Sequence, residues 1–327
     1  MKPPLYSFLN ISSDADFNQL ALTTFAKQHQ LNNVYRSYCD LINIDPSEIK
    51  HTSQIPYLPI RFFKSHPVRS FHEEPTKIFT SSGTTGSSNS SHAIKDLSIY
   101  KNSFNQSFKL TYGDPNEWTI LALLPSYLER EGSSLIFMME DLISQSQFAE
   151  SGFYLNEWKQ LDRIINDLEA KKRPTLLLGV SFALLDFIER YPQKLHYTTI
   201  METGGMKGKR PEITRKELHH LLQEGFGVNA IHSEYGMTEL LSQAYSKGRG
   251  VFHCPPWMRV NPFEVNDPFS EVTENRMGRL NIIDLANQES CAFISTDDLG
   301  KSYKDGSFEV MGRIDDSDIR GCNLLVF

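Results

Sequence analysis

The amino-acid sequence predicts an α/β fold with a parallel sheet, followed by a smaller antiparallel β region. The first observation is that short apolar runs alternate with segments of helical periodicity between residues 118 and 231, which is typical of parallel strands joined by crossover helices. The second is that strand-like runs after residue 280 are separated by turn residues alone, which favours antiparallel pairing. With 327 residues, 39% of them hydrophobic, the chain is long enough to bury a large core.

The N-terminal residues show a helical periodicity that ends before a proline-containing segment. Apolar residues recur at helical spacing over residues 17–31 and 33–41, and Pro56 and Pro59 interrupt the pattern. We expect residues 1–75 to form a helical and irregular segment that packs on the main domain.

The α/β core is expected to span residues 76–275. Its strands are predicted at 118–124, 175–180, 197–201 and 228–231, where the runs are short and apolar. Its helices are predicted at 133–147, around 161–168, and at 181–191 and 212–224. Ser181 fits an N-cap, and Gly225 fits the residue that follows the last helix.

The last predicted domain is an antiparallel β sub-domain at residues 276–327. Its strands are expected at residues 280–285, 291–295 and 307–311. Turn residues, without helices, separate these runs, so the sub-domain is an addition to the parallel sheet rather than a continuation of it.

The composition argues against several classes of protein. A net charge of -7 opposes attraction to nucleic-acid phosphates, and no basic stripe with interleaved aromatic residues is present. The longest apolar stretch, residues 175–188, is too short to span a bilayer. The four cysteines are too widely spaced for a CxxC metal site and too few for a disulfide scaffold. We therefore expect a cytoplasmic protein with reduced thiols, no nucleic-acid partner and no membrane span.

Polar and glycine-rich turns follow three of the predicted strands. They are residues 179–181, 202–206 and 233–239. Each turn alone is explained equally well by reversal of the chain. Ligands of open α/β sheets, however, bind outside the carboxyl ends of the strands. The three turns together therefore predict a polar ligand site at that edge.

A segment rich in serine, glycine and threonine at residues 81–88 follows a short strand-like run at 77–80. Its glycines allow several N–H groups to point into one concavity, and its hydroxyl groups add further donors, so the segment suits an anion. It lacks the spacing and the lysine of a Walker loop. Its composition would also suit a flexible linker.

Five segments of the sequence resemble, in order, motifs of the adenylate-forming superfamily, which includes acyl-CoA synthetases, peptide-synthetase adenylation domains and luciferases. They are the phosphate loop Ser81-Ser82-Gly83-Thr84-Thr85-Gly86, the adenine-side Gly204-Gly205, the motif Tyr235-Gly236-Met237-Thr238-Glu239, the ribose-site Thr296-Asp297-Asp298-Leu299-Gly300 and the hinge Gly312-Arg313-Ile314-Asp315-Asp316. Five motifs in order are a far more specific signal than one. The resemblance implies the fold of the N-terminal domain of adenylate-forming enzymes.

Within that superfamily the chain resembles the acyl-protein synthetases of bacterial luminescence operons, the LuxE-like family. The likeness is carried by His92 and Asp96 after the loop, by residues 124–130 and 234–239, and by the ending around Cys322. Members of that family carry the acyl-accepting cysteine close to the C-terminus, and Cys322 occupies that place. His92 lies where many superfamily members have a lysine. It could contact phosphate when protonated, which favours a role in the site, or it could simply lie on a strand face.

The resemblance implies ATP and Mg²⁺ as cofactors and a role for each matched residue. The loop would hold the β- and γ-phosphates, Glu239 would hold Mg²⁺, and Tyr235 would cover the adenine. Asp298 would accept both ribose hydroxyl groups, and Arg313 would reach ribose or phosphate. The implied catalytic residues are Cys322, Glu239 and Thr84, and the implied nucleotide-binding residues are Ser81, Ser82, Gly83, Thr85, Gly86, Gly204, Gly205, Tyr235, Gly236, Met237, Thr238, Asp298 and Arg313.

The activity implied by the resemblance is ATP-dependent conversion of a carboxylic acid, by the same likeness a fatty acid, to acyl-AMP with release of pyrophosphate. The acyl group would then pass to Cys322 as a thioester, since a thiolate is a better nucleophile than a hydroxyl group at neutral pH. A partner reductase or transferase would receive it. The alternative for Cys322 is a small packing residue in an apolar terminal strand.

The sequence departs from the superfamily pattern after the hinge. Most members continue into a C-terminal lid domain of roughly a hundred residues, whereas this sequence ends eleven residues after Asp316. We expect the lid domain, with the lysine that it contributes, to be missing. Two alternatives stay open: a ligase that acylates coenzyme A or a carrier protein directly, and a non-catalytic nucleotide-binding module.

Overall fold

The structure is a computed structural model that describes residues 6–81, 89–125, 132–206, 209–273 and 275–314. Within these ranges the helices are α1 (Asp14–Leu31), α2 (Asn33–Leu41), α3 (Phe62–Ser65), α4 (Leu97–Tyr112), α5 (Ser134–Gln145), α6 (Trp158–Ala170), α7 (Ser181–Arg190) and α8 (Arg215–Phe226). None of them is both long enough and apolar enough to cross a membrane. The strands are β1 (Leu58–Pro59), β2 (Lys77–Thr80), β3 (Ser91–Ile94), β4 (Thr119–Leu123), β5 (Gly152–Phe153), β6 (Thr175–Val180), β7 (Thr198–Thr203), β8 (His232–Tyr235), β9 (Ala244–Ser246), β10 (Val251–Phe252), β11 (Met258–Phe263), β12 (Gly278–Asp284), β13 (Phe293–Ser302) and β14 (Phe308–Arg313).

The described residues group into two compact units. We call residues 72–255 the α/β unit, and residues 6–71 together with 256–314 the β unit. The N-terminal segment therefore belongs with the C-terminal strands. This grouping differs from the predicted boundaries at residues 75 and 275, which made the N-terminal segment a separate element on the α/β core.

Buried polar side chains tie the N-terminal helices into the β unit. Gln28 of α1 donates to the carbonyl oxygen of Asn287 at 2.8 Å and accepts from the N–H of Ala292 at 2.9 Å. Asn32, between α1 and α2, donates to the carbonyl oxygen of Ser290 at 3.1 Å. Strand β1 also pairs with β13, in parallel. A helical period shows which face of a helix is apolar but not which element covers that face. The sequence pattern therefore did not reveal that the N-terminal helices pack in the β unit.

The last strands of the β unit form the predicted antiparallel sheet. Their order is β14-β13-β12-β11, and each neighbouring pair is antiparallel. Strand β13 is ten residues long, so it contains all of residues 296–300, which the resemblance assigns to the ribose site. The pairing of β13 is irregular beside this segment, since its register shifts against β12 between Arg279 and Asn281 and against β14 between Leu299 and Gly300.

The α/β unit contains the predicted parallel sheet. Its strand order is β5-β4-β6-β7-β8-β9, with parallel pairing from β5 to β8 and an antiparallel β9. Every residue of β4 and of β6 is buried, which is why both strands read as continuous apolar runs. The α/β fold expected from the alternation of strands and helices is confirmed.

One strand lies further along the chain than predicted. Helix α8 ends at Phe226, and Gly227 follows in the left-handed conformation with a φ of 64°. Residues 228–231, predicted as a strand, connect this glycine to β8. Ser233 and Glu234 are buried in β8, and a rule that seeks apolar runs passes over a strand whose buried side chains are polar.

Two predicted helix caps also differ from the structure. Gly225 lies inside α8, where an added Cβ would come within 2.5 Å of Ile188 Cδ1, so it permits a close approach rather than ending the helix. Ser181 is the first residue of α7, and Val180 is the N-cap without a side-chain hydrogen bond. The Ser181 hydroxyl group instead donates to the carbonyl oxygen of Gly204 at 2.7 Å.

Candidate active site

The segment expected to bind phosphate connects β2 and β3, which pair antiparallel. The N–H of Ser81 donates to the carbonyl oxygen of Ser90 at 3.0 Å, and the N–H of Ser90 donates to the hydroxyl oxygen of Ser81 at 2.9 Å. Ser81 and Ser90 thus connect the two strands by hydrogen bonds at the point where the segment begins. The predictions that concern Ser82, Gly83, Thr84, Thr85 and Gly86 lie outside the described residues.

The turn after β7 exposes the two glycines that the resemblance places beside adenine. Gly204 has a positive φ of 70°, and both Gly204 and Gly205 are exposed. The hydrogen bond from Ser181 holds the Gly204 carbonyl group, so the first residue of α7 fixes the turn after β7. Glycine has no side chain, and a flat ligand can therefore approach this backbone closely.

The turn after β8 leaves the sheet beside the turn after β7. The two strands are parallel neighbours, with Thr203 opposite Glu234, so their carboxyl ends lie at one edge. Residues 236–239 continue from that edge. The structure therefore brings together two of the five matched segments, Gly204-Gly205 and residues 235–239, although more than twenty residues separate them in the sequence.

Tyr235 and Glu239 begin and end the matched segment, and both are buried. Tyr235 is 7% exposed, with its ring centroid 5.8 Å from that of Phe252, and Glu239 is 6% exposed. Within the described ranges, no group of three or more His, Cys, Asp or Glu side chains could hold a metal ion. One carboxylate still fits Mg²⁺, because this ion is commonly bound by one or two carboxylates together with substrate phosphates.

His92 connects β3 to the same turn. Its Nδ1 lies 2.8 Å from the carbonyl oxygen of Thr238, and its side chain is buried. A ring N–H on Nδ1 would donate to this carbonyl group. His92 therefore places the strand that follows the phosphate segment against the turn that carries Glu239, a link between positions 146 residues apart.

A buried carboxyl group to which sequence analysis gave no role lies at the same edge. The Thr203 hydroxyl group donates to Glu234 Oε2 at 2.6 Å. Burial raises the pKa of Glu234 to about 7, the Thr203 hydrogen bond acts in the opposite direction, and the nearby Glu202 carboxylate adds to the rise. A glutamate next to the matched tyrosine was visible in the sequence, but only the burial of β8 makes it unusual.

Asp298 and Arg313 lie opposite each other in the β unit. They are paired in register across β13 and β14, with Arg313 Nε 3.8 Å from Asp298 Oδ1. Neighbouring Asp297 accepts from Arg61 Nε at 3.1 Å. The Asp298 side chain is largely buried, whereas that of Arg313 is 68% exposed. The two predicted ribose-site residues are thus brought together on one strand pair.

The cysteines differ in their surroundings. Cys322 lies outside the described residues. Cys39 and Cys291 are buried; burial raises the pKa of Cys39 to about 12 and raises that of Cys291 further. A thiol that stays protonated is a poor nucleophile, so these two side chains behave as packing residues. Cys254 is half-buried.

Comparison with known proteins links the chain to one enzyme family. A family model described as "Acyl-protein synthetase, LuxE" matches residues 8–123. The chain is 24% identical, over 99% of its own length and 90% of the relative's length, to a long-chain-fatty-acid–luciferin-component ligase of Aliivibrio fischeri. The relative's name describes a ligase, and the alignment extends across both units.

Solved structures share the fold at low sequence identity. A 2-hydroxyisobutyryl-CoA ligase in complex with an acyl-AMP and CoA is 15% identical, with a TM-score of 0.68, over 97% of this chain and 73% of that one. ATP-bound MatB from Rhodopseudomonas palustris is 16% identical, with a TM-score of 0.54, over 75% of this chain. The chain spans about half of MatB, 49% of its length.

The family model, the relative and the shared fold agree with the resemblance to adenylate-forming enzymes. The sequence identities to the solved structures are too low to transfer a substrate to this chain. The structural similarity nevertheless establishes the architecture. The chain is therefore similar to the acyl-protein synthetases of the LuxE family and shares the fold of the adenylate-forming ligases.

Proposed function

We propose that the protein activates a carboxylic acid with ATP and then carries the acyl group on Cys322. The observation that carries this proposal is the meeting of Gly204-Gly205 and residues 235–239 at one sheet edge, next to the strand that follows the phosphate segment. The ligase name of the relative supports the same reaction class, and its long-chain fatty acid supports a fatty substrate.

In the first step, a carboxylate oxygen of the acid attacks the α-phosphorus of ATP. The bond from that phosphorus to the bridging oxygen breaks, and pyrophosphate leaves, so that acyl-AMP remains. In this proposal residues 81–86 would donate to the β- and γ-phosphates. Glu239 would hold Mg²⁺, which when bound would offset the negative charge of the phosphates. Tyr235 would cover the adenine. By the same resemblance, Asp298 would accept from the ribose hydroxyl groups, and Arg313 would reach ribose or phosphate.

In the second step, the thiolate of Cys322 attacks the acyl carbon. The carbon–oxygen bond to phosphate breaks, AMP leaves, and a thioester remains on the protein. The buried Cys39 and Cys291 keep their protons and do not compete for the acyl group. A partner reductase or transferase then takes the acyl group from Cys322.

The first prediction separates the two steps. Incubation with a radiolabelled fatty acid and Mg-ATP is expected to leave hydroxylamine-sensitive label on the wild-type protein and none on Cys322→Ser, while ATP–pyrophosphate exchange continues in that variant. Cys254→Ser, which changes a half-buried cysteine, is the matched control and should keep its label.

Glu239→Gln should lower the rate of ATP–pyrophosphate exchange by about a hundred-fold or more, because it weakens charge stabilisation at the reacting phosphates.

Other outcomes would redirect the proposal. Label that persists in Cys322→Ser would remove this cysteine from the reaction. The CoA complex of the structurally similar 2-hydroxyisobutyryl-CoA ligase favours one second candidate, a ligase that acylates coenzyme A directly. Acyl-CoA formation by Cys322→Ser would support that candidate. Absence of exchange with every member of a broad acid panel would favour a non-catalytic nucleotide-binding module.

A further inference from the structure

Glu234 lies at the sheet edge that carries the candidate site, between β7 and β9. In β8 it is opposite Thr203 of β7 on one side and opposite Tyr245 of β9 on the other. All three side chains are buried, with exposures of 9%, 4% and 3% respectively. A carboxyl group in this setting needs specific partners, because burial of an unpaired charge is costly.

The two carboxyl oxygens of Glu234 face two different turns. Oε2 accepts from the Thr203 hydroxyl group at 2.6 Å, and Thr203 is the last residue before Gly204. An added Cβ on Gly236 would lie 2.5 Å from Oε1, so Oε1 occupies the space that any larger residue would need at the start of the next turn. One side chain thus bridges the turn after β7 and the turn after β8.

The charged groups around Glu234 set its behaviour. Glu202 of β7 raises the pKa of Glu234, in addition to the larger effect of burial. Glu202 is itself held by two side chains of α8, since Arg215 Nε and His219 Nε2 each lie 3.4 Å from its Oε1. The neighbour on β9 is the Tyr245 phenol. Among the described residues no cation forms an ion pair with Glu234, and the hydrogen bond that favours its ionised form comes from Thr203.

We propose that Glu234 is a positioning residue of the adenylating site, whose carboxyl group locks the Gly204-Gly205 turn to the Gly236–Glu239 turn through Thr203 and the space beside Gly236. This inference rests on the proposed function for its effect on catalysis, but its effect on the two turns stands on geometry alone. Glu234 acts through these turns and does not touch the substrates.

The protonated form of Glu234 is the one that fits this buried place. Ionisation brings a second negative charge beside Glu202 and loosens the lock, so ATP–pyrophosphate exchange should decline as the pH rises through about 7, where Glu234 titrates. A glutamine has the shape of the neutral acid and does not ionise. Glu234→Gln should therefore retain most of the exchange activity at pH 6 and lose the decline near pH 7.

The experiment measures exchange from pH 5.5 to 9 for the wild type, Glu234→Gln, Glu234→Ala and Thr203→Val. Glu234→Ala should lower kcat by about a hundred-fold, with a smaller change in the KM for ATP, since misplaced turns impair alignment more than binding. Thr203→Val keeps the side-chain shape but removes the hydroxyl group, and its loss should be intermediate. Glu224→Gln, at an exposed position of α8, is the matched control and should follow the wild-type profile.

A second readout does not depend on activity. Amide hydrogen exchange followed by mass spectrometry should show faster exchange in both turns, residues 203–206 and 235–239, in Glu234→Ala and in Thr203→Val. If Glu234→Ala does not fold, the Thr203→Val result alone decides. If amide exchange is faster in both turns of the variants but the wild type never shows ATP–pyrophosphate exchange, the positioning role of Glu234 is supported and the proposed function is rejected.

Three results would overturn the inference. They are a Glu234→Gln profile that declines near pH 7 as the wild type does, a Glu234→Ala variant with wild-type kcat, or unchanged amide exchange in both turns of the folded variants. A Gly236→Ala variant adds a coupling test. Its defect should be smaller in the Glu234→Ala background than in the wild type, because the added methyl group then has no carboxyl oxygen to displace.

Discussion

Single buried polar groups decide the shape of the candidate site. Gly236 has no side chain where the Glu234 carboxyl oxygen lies, and His92 holds the carbonyl group of Thr238. Each of these contacts joins residues of different strands or turns. At the residue scale, the shape of the candidate site depends on buried hydrogen bonds and on the lack of a Cβ at Gly236.

The titration of Glu234 should make stability depend on pH. Because its pKa rises from 4.5 to about 7 in the folded state, the folded protein binds this proton more tightly than the unfolded chain does. The resulting contribution is fully present below pH 4.5 and is lost as the pH rises towards 7. Glu234→Gln removes this dependence, so its free energy of unfolding relative to the wild type should rise by at most about 3 kcal/mol between pH 4.5 and 7.5.

Urea unfolding at several pH values would measure this change. Trp118 and Trp158 report on the α/β unit when Trp257→Phe is present in every protein compared, because the sequence contains three tryptophans. Glu224→Gln should show no comparable change with pH. A difference between Glu234→Gln and the wild type that stays constant across this range would contradict the assignment.

The pairing of β13 and β14 is the element that presents Asp298 and Arg313. The register shifts between Leu299 and Gly300, and an added Cβ on Gly300 would overlap the carbonyl oxygen of Glu309 on the neighbouring strand. The glycine of the matched ribose segment is therefore explained by strand packing. Its backbone neighbour cannot move without disturbing the ladder of hydrogen bonds.

Gly300→Ala should destabilise the β unit by about 2 kcal/mol or more, because the methyl group meets backbone atoms rather than a flexible side chain. Gly312→Ala is the matched control on the same strand pair, since nothing lies within 4 Å of a Cβ at that position. The measurement is urea unfolding followed by Trp257, the buried tryptophan of the β unit, with Trp118→Phe and Trp158→Phe in all variants. Equal stabilities of the two alanine variants would refute this account.

At the scale of the whole molecule, the β unit is built from two segments distant in sequence. Residues 6–71 supply α1, α2 and β1, and residues 256–314 supply the antiparallel strands. The hydrogen bonds of Gln28 span more than 250 residues. Loss of the N-terminal segment would therefore expose polar backbone groups near Asn287 and Ala292 that the strands alone do not satisfy.

Gln28→Leu should destabilise the β unit by about 3 kcal/mol, because a buried carbonyl oxygen and a buried N–H lose their partner. Gln30→Leu makes the same substitution at an exposed position of α1 and should change stability little. Trp257 fluorescence during urea unfolding, in the background without the other tryptophans, separates the two variants. A Gln28→Leu protein as stable as Gln30→Leu would show that these hydrogen bonds contribute nothing net.

The sequence by itself determined the fold class and the resemblance to the acyl-protein synthetases, because both depend on local information. Buried strands such as β6 read as apolar runs, and each of the five matched segments is a short stretch of neighbouring residues. Only the tertiary structure decided which distant groups meet: Gln28 with Ala292, His92 with Thr238, and Glu234 with Thr203. It also placed the polar strand β8 beyond the apolar run predicted for it. The physical reason is that periodicity reports how one element is buried, whereas the partner of a buried polar group is chosen by the packing of the whole chain.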